Sequence, residues 1–226
     1  KWTNPANKLS WTFLILLSPI FGLMVYFLFG RSGLTKHTRE RMDAVNRQVE
    51  ALFQRDSAVE KGLEKESRSA YLQSSYIDKW AGFPLYQNTQ TKYYSCGEEM
   101  FPDMLEALRG AKHFIFLEYF IIEEGYMFNT ILDILEEKAK AGVDVRFIYD
   151  DVGSINSISF GYYKKLQERG IPCVTFNPFK PLISVVMNNR DHRKIFVVDG
   201  YIGFTGGINL ADEYINKVKR FGYWKD

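Results

Sequence analysis

Apolar and polar positions fall into three regimes along the chain. Residues 9–30, LSWTFLILLSPIFGLMVYFLFG, carry no charged side chain. At about 1.5 Å per residue, a helix of that length covers a hydrocarbon core of roughly 30 Å. The pattern therefore predicts one transmembrane helix over 9–30, with residues 1–8 as the loop before it. Pro19 and Gly22 are tolerated in such a helix, and Trp11 and Tyr26 suit its interfaces. A signal peptide would have a shorter apolar run and a small-residue cleavage site, which Phe29-Gly30-Arg31-Ser32 does not provide.

In the second regime, 31–82, Met42, Val45, Val49, Leu52 and Phe53 recur at helical spacing and mark one apolar face. Two readings fit: a membrane-surface or lid helix, and a juxtamembrane helical connector with a solvated face.

From residue 83 the period alternates between strand and helix. FPLYQNTQTKYYS offers a hairpin around Asn88. A helix follows over 95–112, with Ser95 and Glu98 as a capping box and Gly110 as its stop. HFIFLEYFII (113–122) reads as a strand, 126–142 as an amphipathic helix ending at Gly142, and 143–151 as a second strand. A helix around 158–169 and a strand over 171–178 complete the series. Such alternation predicts an α/β layered domain with a parallel or mixed sheet. The segment 177–189, with two prolines and several apolar residues, reads as a lid or a lipid-facing edge.

Charge changes this picture in two places. The 226 residues carry a net charge of only +2, so nothing in the total favours nucleic acid as a partner. Basic residues gather after the apolar segment (Arg31, Lys36, Arg39, Arg41, Arg47) rather than before it (Lys1, Lys8), which places the polar part on the cytoplasmic side. The two cysteines, Cys96 and Cys173, read as free thiols, and the three histidines show no metal-ligand spacing.

Two features carry candidate chemistry. Glu118 interrupts an apolar strand. Either it faces a polar site or that strand end is solvated; Asp150-Asp151 at the next strand end is a possible second polar rim. The stronger feature is 188-NNRDHRKIFVVDGYIGFTGGINLADEY-214. Asp199-Gly200 between IFVV and YIGF is a two-residue hairpin signal. His192 and Lys194 then share one face, with Val198 opposite Tyr201, Lys194 opposite Thr205 and His192 opposite Gly207. Gly206 and Gly207 leave room beside the imidazole, and Asn209 follows. An imidazole, an ammonium, an amide and open backbone suit a phosphate, since donors neutralise its oxygens while a neutral imidazole attacks phosphorus or moves a proton.

The spacing H-x-K-x4-D-x6-G-G-x-N, standing as His192, Lys194, Asp199, Gly206, Gly207 and Asn209, resembles the HKD motif of the phospholipase D superfamily. The flanking residues, with FIFLEYFII, AGVDVRFIYDDVGS and PIFGLMVYFLFG upstream, are most similar to bacterial cardiolipin synthases, over nearly the whole chain. The resemblance implies a layered αβα domain with a mixed sheet. It implies transphosphatidylation through a phosphohistidine, without a metal or cofactor, phosphatidylglycerol being both donor and acceptor at a cell membrane. His192 would be one of two active-site histidines, as nucleophile or as acid. Lys194, Asn209 and Gly207 would bind the phosphoryl group. Asp199 is the third letter of the motif, and its turn position suggests that it organises the hairpin. Asp226 would orient the imidazole, and Glu118 would support the site. Such enzymes carry two motifs per chain and this sequence holds one. It is thus expected to be an N-terminal portion, with 83–226 as a first HKD domain completed by a second half on a longer chain or by a second copy. The alternatives are a phosphodiesterase or nuclease built as a dimer of single-motif chains, and a non-catalytic relic.

Overall fold

The computed structural model describes residues 5–30, 36–178 and 190–225. The chain divides into two compact units, Gly33–Tyr93 and a second made of Lys1–Ser32 with Tyr94–Asp226.

The apolar segment is not one continuous helix. It forms α1 (Pro5–Leu17), α2 (Pro19–Val25) and a short π-helical turn, Tyr26–Gly30. No helix among the described residues is long and apolar enough to cross a membrane. This corrects the single transmembrane helix expected over 9–30. Its cause is Pro19, which has no N–H to continue the ladder and disfavours helical geometry in the residue before it; Ser18 sits accordingly at φ −145°, ψ 87°. The chain then turns back on itself. The Trp11 and Tyr26 rings meet edge to face at 5.4 Å, and a Cβ on buried Gly22 would lie 2.7 Å from both Ile15 Cα and the Leu14 carbonyl oxygen. Only glycine permits so close an approach.

Gly33–Tyr93 holds α3 (Lys36–Glu50), α4 (Ser57–Glu66) and α5 (Arg68–Ala81). Asp56 caps α4 by accepting from Ala58 N, Ser67 caps α5 by accepting from Ala70 N, and Gly82 ends α5 in the left-handed region. Arg55 clamps Asp78 through two guanidinium nitrogens. The hairpin expected around Asn88 does not form. Asn88 takes a turn conformation (φ 65°), but residues 82–94 carry no strand on either side of it.

The remaining elements are α6 (Gly97–Gly110), β1 (Phe114–Tyr119), α7 (Tyr126–Lys140), β2 (Asp144–Asp150), α8 (Tyr162–Glu168), β3 (Cys173–Phe176), β4 (Ile195–Val198) and β5 (Ile202–Phe204), with a 3-10 turn at Asp212–Ile215. At the start of α6 the expected Ser95–Glu98 box moves on by one residue. Ser95 donates to Glu99 through both its N–H and its hydroxyl, while Glu98 accepts from Asn216 and Tyr223.

The sheet order is β3-β2-β1-β4-β5. β1 pairs parallel with β2 and antiparallel with β4, so the sheet is mixed. Ile115, Leu117 and Tyr119 alternate inward with Val145, Phe147 and Tyr149 of β2. They meet Phe128 of α7 and Tyr162 of α8, and complete burial of a side chain this size contributes about 1.5–3 kcal/mol. The opposite face is half open, with Val174 56% exposed, and Arg146 lies over the Phe116 ring at 5.1 Å. The mixed five-stranded sheet with α7 and α8 packed on its buried face fits the α/β domain expected.

A carboxylate distant in sequence starts α7. The helix is preceded by Gly125, which has no side chain to cap it, and Asp212 accepts from Tyr126 N at 2.9 Å and Met127 N at 2.7 Å instead. A Cβ on Gly125 would lie 2.8 Å from that carboxylate.

Candidate active site

The segment 190–194 enters β4 as irregular chain, so His192 and Lys194 precede the strand in which the sequence pattern put them. They nevertheless share a face. Lys194 Nζ lies 3.3 Å from His192 Nδ1 and donates to the His192 carbonyl at 2.9 Å. Lys194 is 5% exposed while His192 faces solvent. An ammonium can only donate, so the contact is a hydrogen bond in the tautomer whose Nδ1 accepts. In that tautomer the ring hydrogen sits on Nε2. A carboxylate at Nδ1 would reverse it. Asp226, expected in that role, lies outside the described residues, as does 179–189 of the expected lid.

Phe120, which the pattern did not single out, forms the wall of this pair. Its ring is 4.8 Å from the imidazole, and Lys194 Nζ stands 5.4 Å from its centroid. The chain around Phe120 is fixed from two sides. Buried Ser154 donates to the Phe120 carbonyl and accepts from Ile122 N. Asn209, 3% exposed, accepts from Ile121 N at 3.0 Å and donates to Tyr214 Oη at 2.9 Å. Asn209 therefore ties the end of β1 to the segment after β5 through its amide oxygen and one of its two amide hydrogens, a role the sequence reading did not assign.

Asp150 closes β2 with no exposed surface. It accepts from Gly153 N, from Arg190 Nη1 at 3.2 Å and from Asp191 N at 2.9 Å. Arg190 also donates to the Asn177 carbonyl. A buried carboxylate needs several donors of this kind to offset its lost hydration.

Glu118 faces a charged cluster. Its Oε1 is 2.6 Å from Arg193 Nη2, and Arg193 also clamps Asp191 through Nε at 2.8 Å and Nη2 at 3.1 Å. Burial and the Asp191 carboxylate raise Glu118 above the usual carboxylate range. Burial also acts to raise Asp191, but the Arg193 hydrogen bonds outweigh it and hold that carboxyl low. Of two carboxyls beside one guanidinium, Glu118 is the one that keeps a proton.

Asp199 sits at the hairpin tip with φ 53° and points back at β1. It accepts from Lys112 N at 2.8 Å, His113 N at 2.7 Å and Phe114 N at 2.9 Å. Val198 pairs with Ile202 and Phe196 with Phe204, so Tyr201 joins the turn and the expected pairing slips by one residue. Thr205 still reaches Lys194, donating its hydroxyl to that carbonyl at 3.3 Å. Gly206 and Gly207 are both exposed, and a Cβ at Gly206 would meet nothing within 4 Å.

Residues 104–219 match the family model for the cardiolipin synthase, phospholipase D-like domain, and residues 1–31 match a phospholipase D-nuclease N-terminal model. An uncharacterized protein of Streptococcus mutans is 40% identical over 223 residues, which are 99% of this chain and 48% of that protein. Cardiolipin synthase 2 of Bacillus anthracis is 33% identical over 224 residues, 99% of this chain and 43% of that one. A cardiolipin synthase of Alkalihalophilus pseudofirmus is 36% identical over 225 residues, with 99% and 44% covered. The chain thus spans about half the length of the curated relatives it matches.

Proposed function

Because the chain belongs to the family of cardiolipin synthase, phospholipase D-like domains, we propose that it is the part of a phosphatidyltransferase that carries one of the two active-site histidines. The observation that carries this reading is the His192–Lys194 pair, a solvent-facing imidazole braced by a buried ammonium. In the reaction proposed, a histidine nitrogen attacks the phosphorus of one phosphatidylglycerol. A P–N bond forms, the P–O bond to glycerol breaks, and the departing glycerol oxygen takes a proton from the second histidine. The terminal hydroxyl of another phosphatidylglycerol then gives its proton to that second histidine and attacks the phosphorus. The P–N bond breaks and cardiolipin leaves. Two displacements at phosphorus replace one harder step.

Within this reading Lys194 neutralises the phosphoryl oxygens, since its ammonium stands where negative charge develops. Gly207 offers open backbone to the same group. Asn209 holds the chain beside Phe120 and keeps one amide hydrogen for the phosphate, Asp199 sets the turn, Asp226 orients the imidazole, and Glu118 supports the site through Arg193. One histidine cannot be both nucleophile and leaving-group acid in the same displacement. A second motif, on a longer chain or a second copy, is therefore part of the proposal. Lipid substrate and basic flanking residues support a site at the cell membrane with the catalytic unit on its cytoplasmic side.

The test incubates the membrane-embedded protein with phosphatidylglycerol vesicles, without added metal, beside His192→Ala. Cardiolipin and free glycerol in equal amounts, lost in the variant, are the result expected. Phosphatidic acid as the product would replace the transferase by a hydrolase, and unchanged activity in His192→Ala would remove this histidine from the chemistry.

A further inference from the structure

We propose that Phe120 is a positioning residue for the His192–Lys194 pair, its ring setting the plane in which the imidazole meets phosphorus; this rests on the phosphatidyl-transfer reading of the site. His192 needs such a device. It is exposed, and the segment that carries it is irregular chain rather than strand. The torsion that turns an imidazole about its Cβ–Cγ bond is broad and selects no narrow setting. The Lys194 contact at Nδ1 holds one edge of the ring. Phe120 meets the imidazole from a second direction, with ring centroids 4.8 Å apart and planes at 53° to each other.

The same ring serves the lysine. Lys194 Nζ stands over the Phe120 ring, 5.4 Å from its centroid, where the electron-rich face attracts a cation. Phe120 thus touches both groups that would act at phosphorus. Its side chain has no group that donates, accepts or bonds covalently, so what it contributes is geometry.

The turn after β2 gives that ring a fixed place. A Cβ on Gly153 would press on the Phe120 carbonyl oxygen and lie 2.7 Å from Cε2 and 2.8 Å from Cδ2 of the ring. The ring therefore rests against bare backbone, an approach that glycine permits. Asp150 accepts from Gly153 N at 2.8 Å and from Asp191 N at 2.9 Å. One buried carboxylate thus holds both the backbone against the ring and the residue before His192. Ser154 donates to the Phe120 carbonyl at 3.3 Å, and Asn209 accepts from Ile121 N at 3.0 Å. The spacing of phenyl and imidazole is set by hydrogen bonds to the main chain rather than by long flexible side chains. Such control matters, because a misplacement of about 1 Å at a reacting group can cost on the order of 10²-fold in rate.

The full protein is assayed with phosphatidylglycerol vesicles as parent, Phe120→Leu and Phe120→Tyr, with kcat, KM and the urea midpoint measured for each. Phe120→Leu should lower kcat on the order of 10²-fold, with KM little changed, as for an interaction felt in the transition state. Its urea midpoint should stay close to the parent's, since Phe120 is half-buried and leucine keeps an apolar side chain there. Phe120→Tyr keeps the ring and should turn over near the parent rate. A second readout needs no turnover: acylation of His192 by diethyl pyrocarbonate in the resting protein, mapped by mass spectrometry. It should be faster in Phe120→Leu than in the parent, and parent-like in Phe120→Tyr. Parent-like kcat in Phe120→Leu, equal acylation in all three proteins, or a Phe120→Tyr that falls as far as Phe120→Leu would overturn the proposal. So would a urea midpoint that drops together with kcat, which would make Phe120 a packing residue. Failure of the phosphatidyl-transfer reading is seen separately, as activity surviving in His192→Ala, and leaves the acylation contrast in place.

Discussion

Asp150 accepts the backbone amide of Asp191 at 2.9 Å and so fixes the chain one residue before His192. The histidine needs this support because its segment has no strand partner of its own. A fully buried carboxylate at the end of β2 supplies it, and Arg190 balances the charge.

Asp150→Ala should therefore cost about 3–5 kcal/mol, the usual consequence of removing one partner of a buried pair. Urea unfolding at neutral pH measures it. Loss under about 1 kcal/mol would mean that Arg190 finds another partner or water, and that the segment is held elsewhere.

Glu118 gives a pH signature. Burial and Asp191 push its carboxyl up to about 7 from an ordinary 4.5. The native state then keeps a proton that the unfolded chain releases, so this group lowers stability as pH rises from about 4.5 to about 7. Asp191 has the opposite sign: its contribution is present above its ordinary 3.8 and is lost as pH falls toward 2. In Glu118→Gln the decline between 4.5 and 7 should flatten relative to the parent. Parallel urea-midpoint curves for the two proteins would reject the assignment.

Asp199 is expected to act on the fold before it acts on any substrate. Three backbone amides hold its carboxyl low, against desolvation, so its contribution is present above an ordinary 3.8 and disappears in acid. Asp199→Ala should expose Lys112 N, His113 N and Phe114 N to rapid hydrogen exchange. Unchanged protection at those three amides would show that β1 and β4 hold together without the turn.

Lys194→Met separates chemistry from packing. A buried ammonium replaced by an apolar chain of similar length is often neutral for stability, whereas removal of a donor to developing phosphoryl charge costs on the order of 10²–10³ in turnover. Turnover down by that factor with an unchanged urea midpoint is the expected pair of results. Full turnover in the variant would take Lys194 out of the phosphate site.

The order of strands and helices was readable because each has its own apolar period and a glycine near its end. The site was half readable. His192, Lys194 and Asp199 declare themselves by spacing, but the hairpin register does not, because three amides 85–87 residues away draw Asp199 out of a simple two-residue turn. Glu118 could be seen as out of place in a strand; that its partner is Arg193, inside the motif itself, depends on the antiparallel pairing of β1 with β4. Phe120 gave no signal at all, since an aromatic in an apolar run is ordinary. Pro19 was visible and was read as tolerable in a span. Its effect depends on whether a neighbour can accept the returning arm, and Gly22 provides that seven residues from Ile15.

The two distant carboxylates also set a timetable. Asp199 reaches back 86 residues to His113, and Asp212 reaches back 85 to Met127. At a synthesis rate of about 5–20 residues per second, β1 and the first turn of α7 wait roughly 4–17 s on the ribosome for their anchors. Once β2 has followed, β1 has a partner on one edge and bare amides on the other for the rest of that interval, an open template for a wrong strand. The histidine pocket is thus among the last parts of this unit to exist, and a nascent chain would need protection at FIFLEY well before it could meet a lipid.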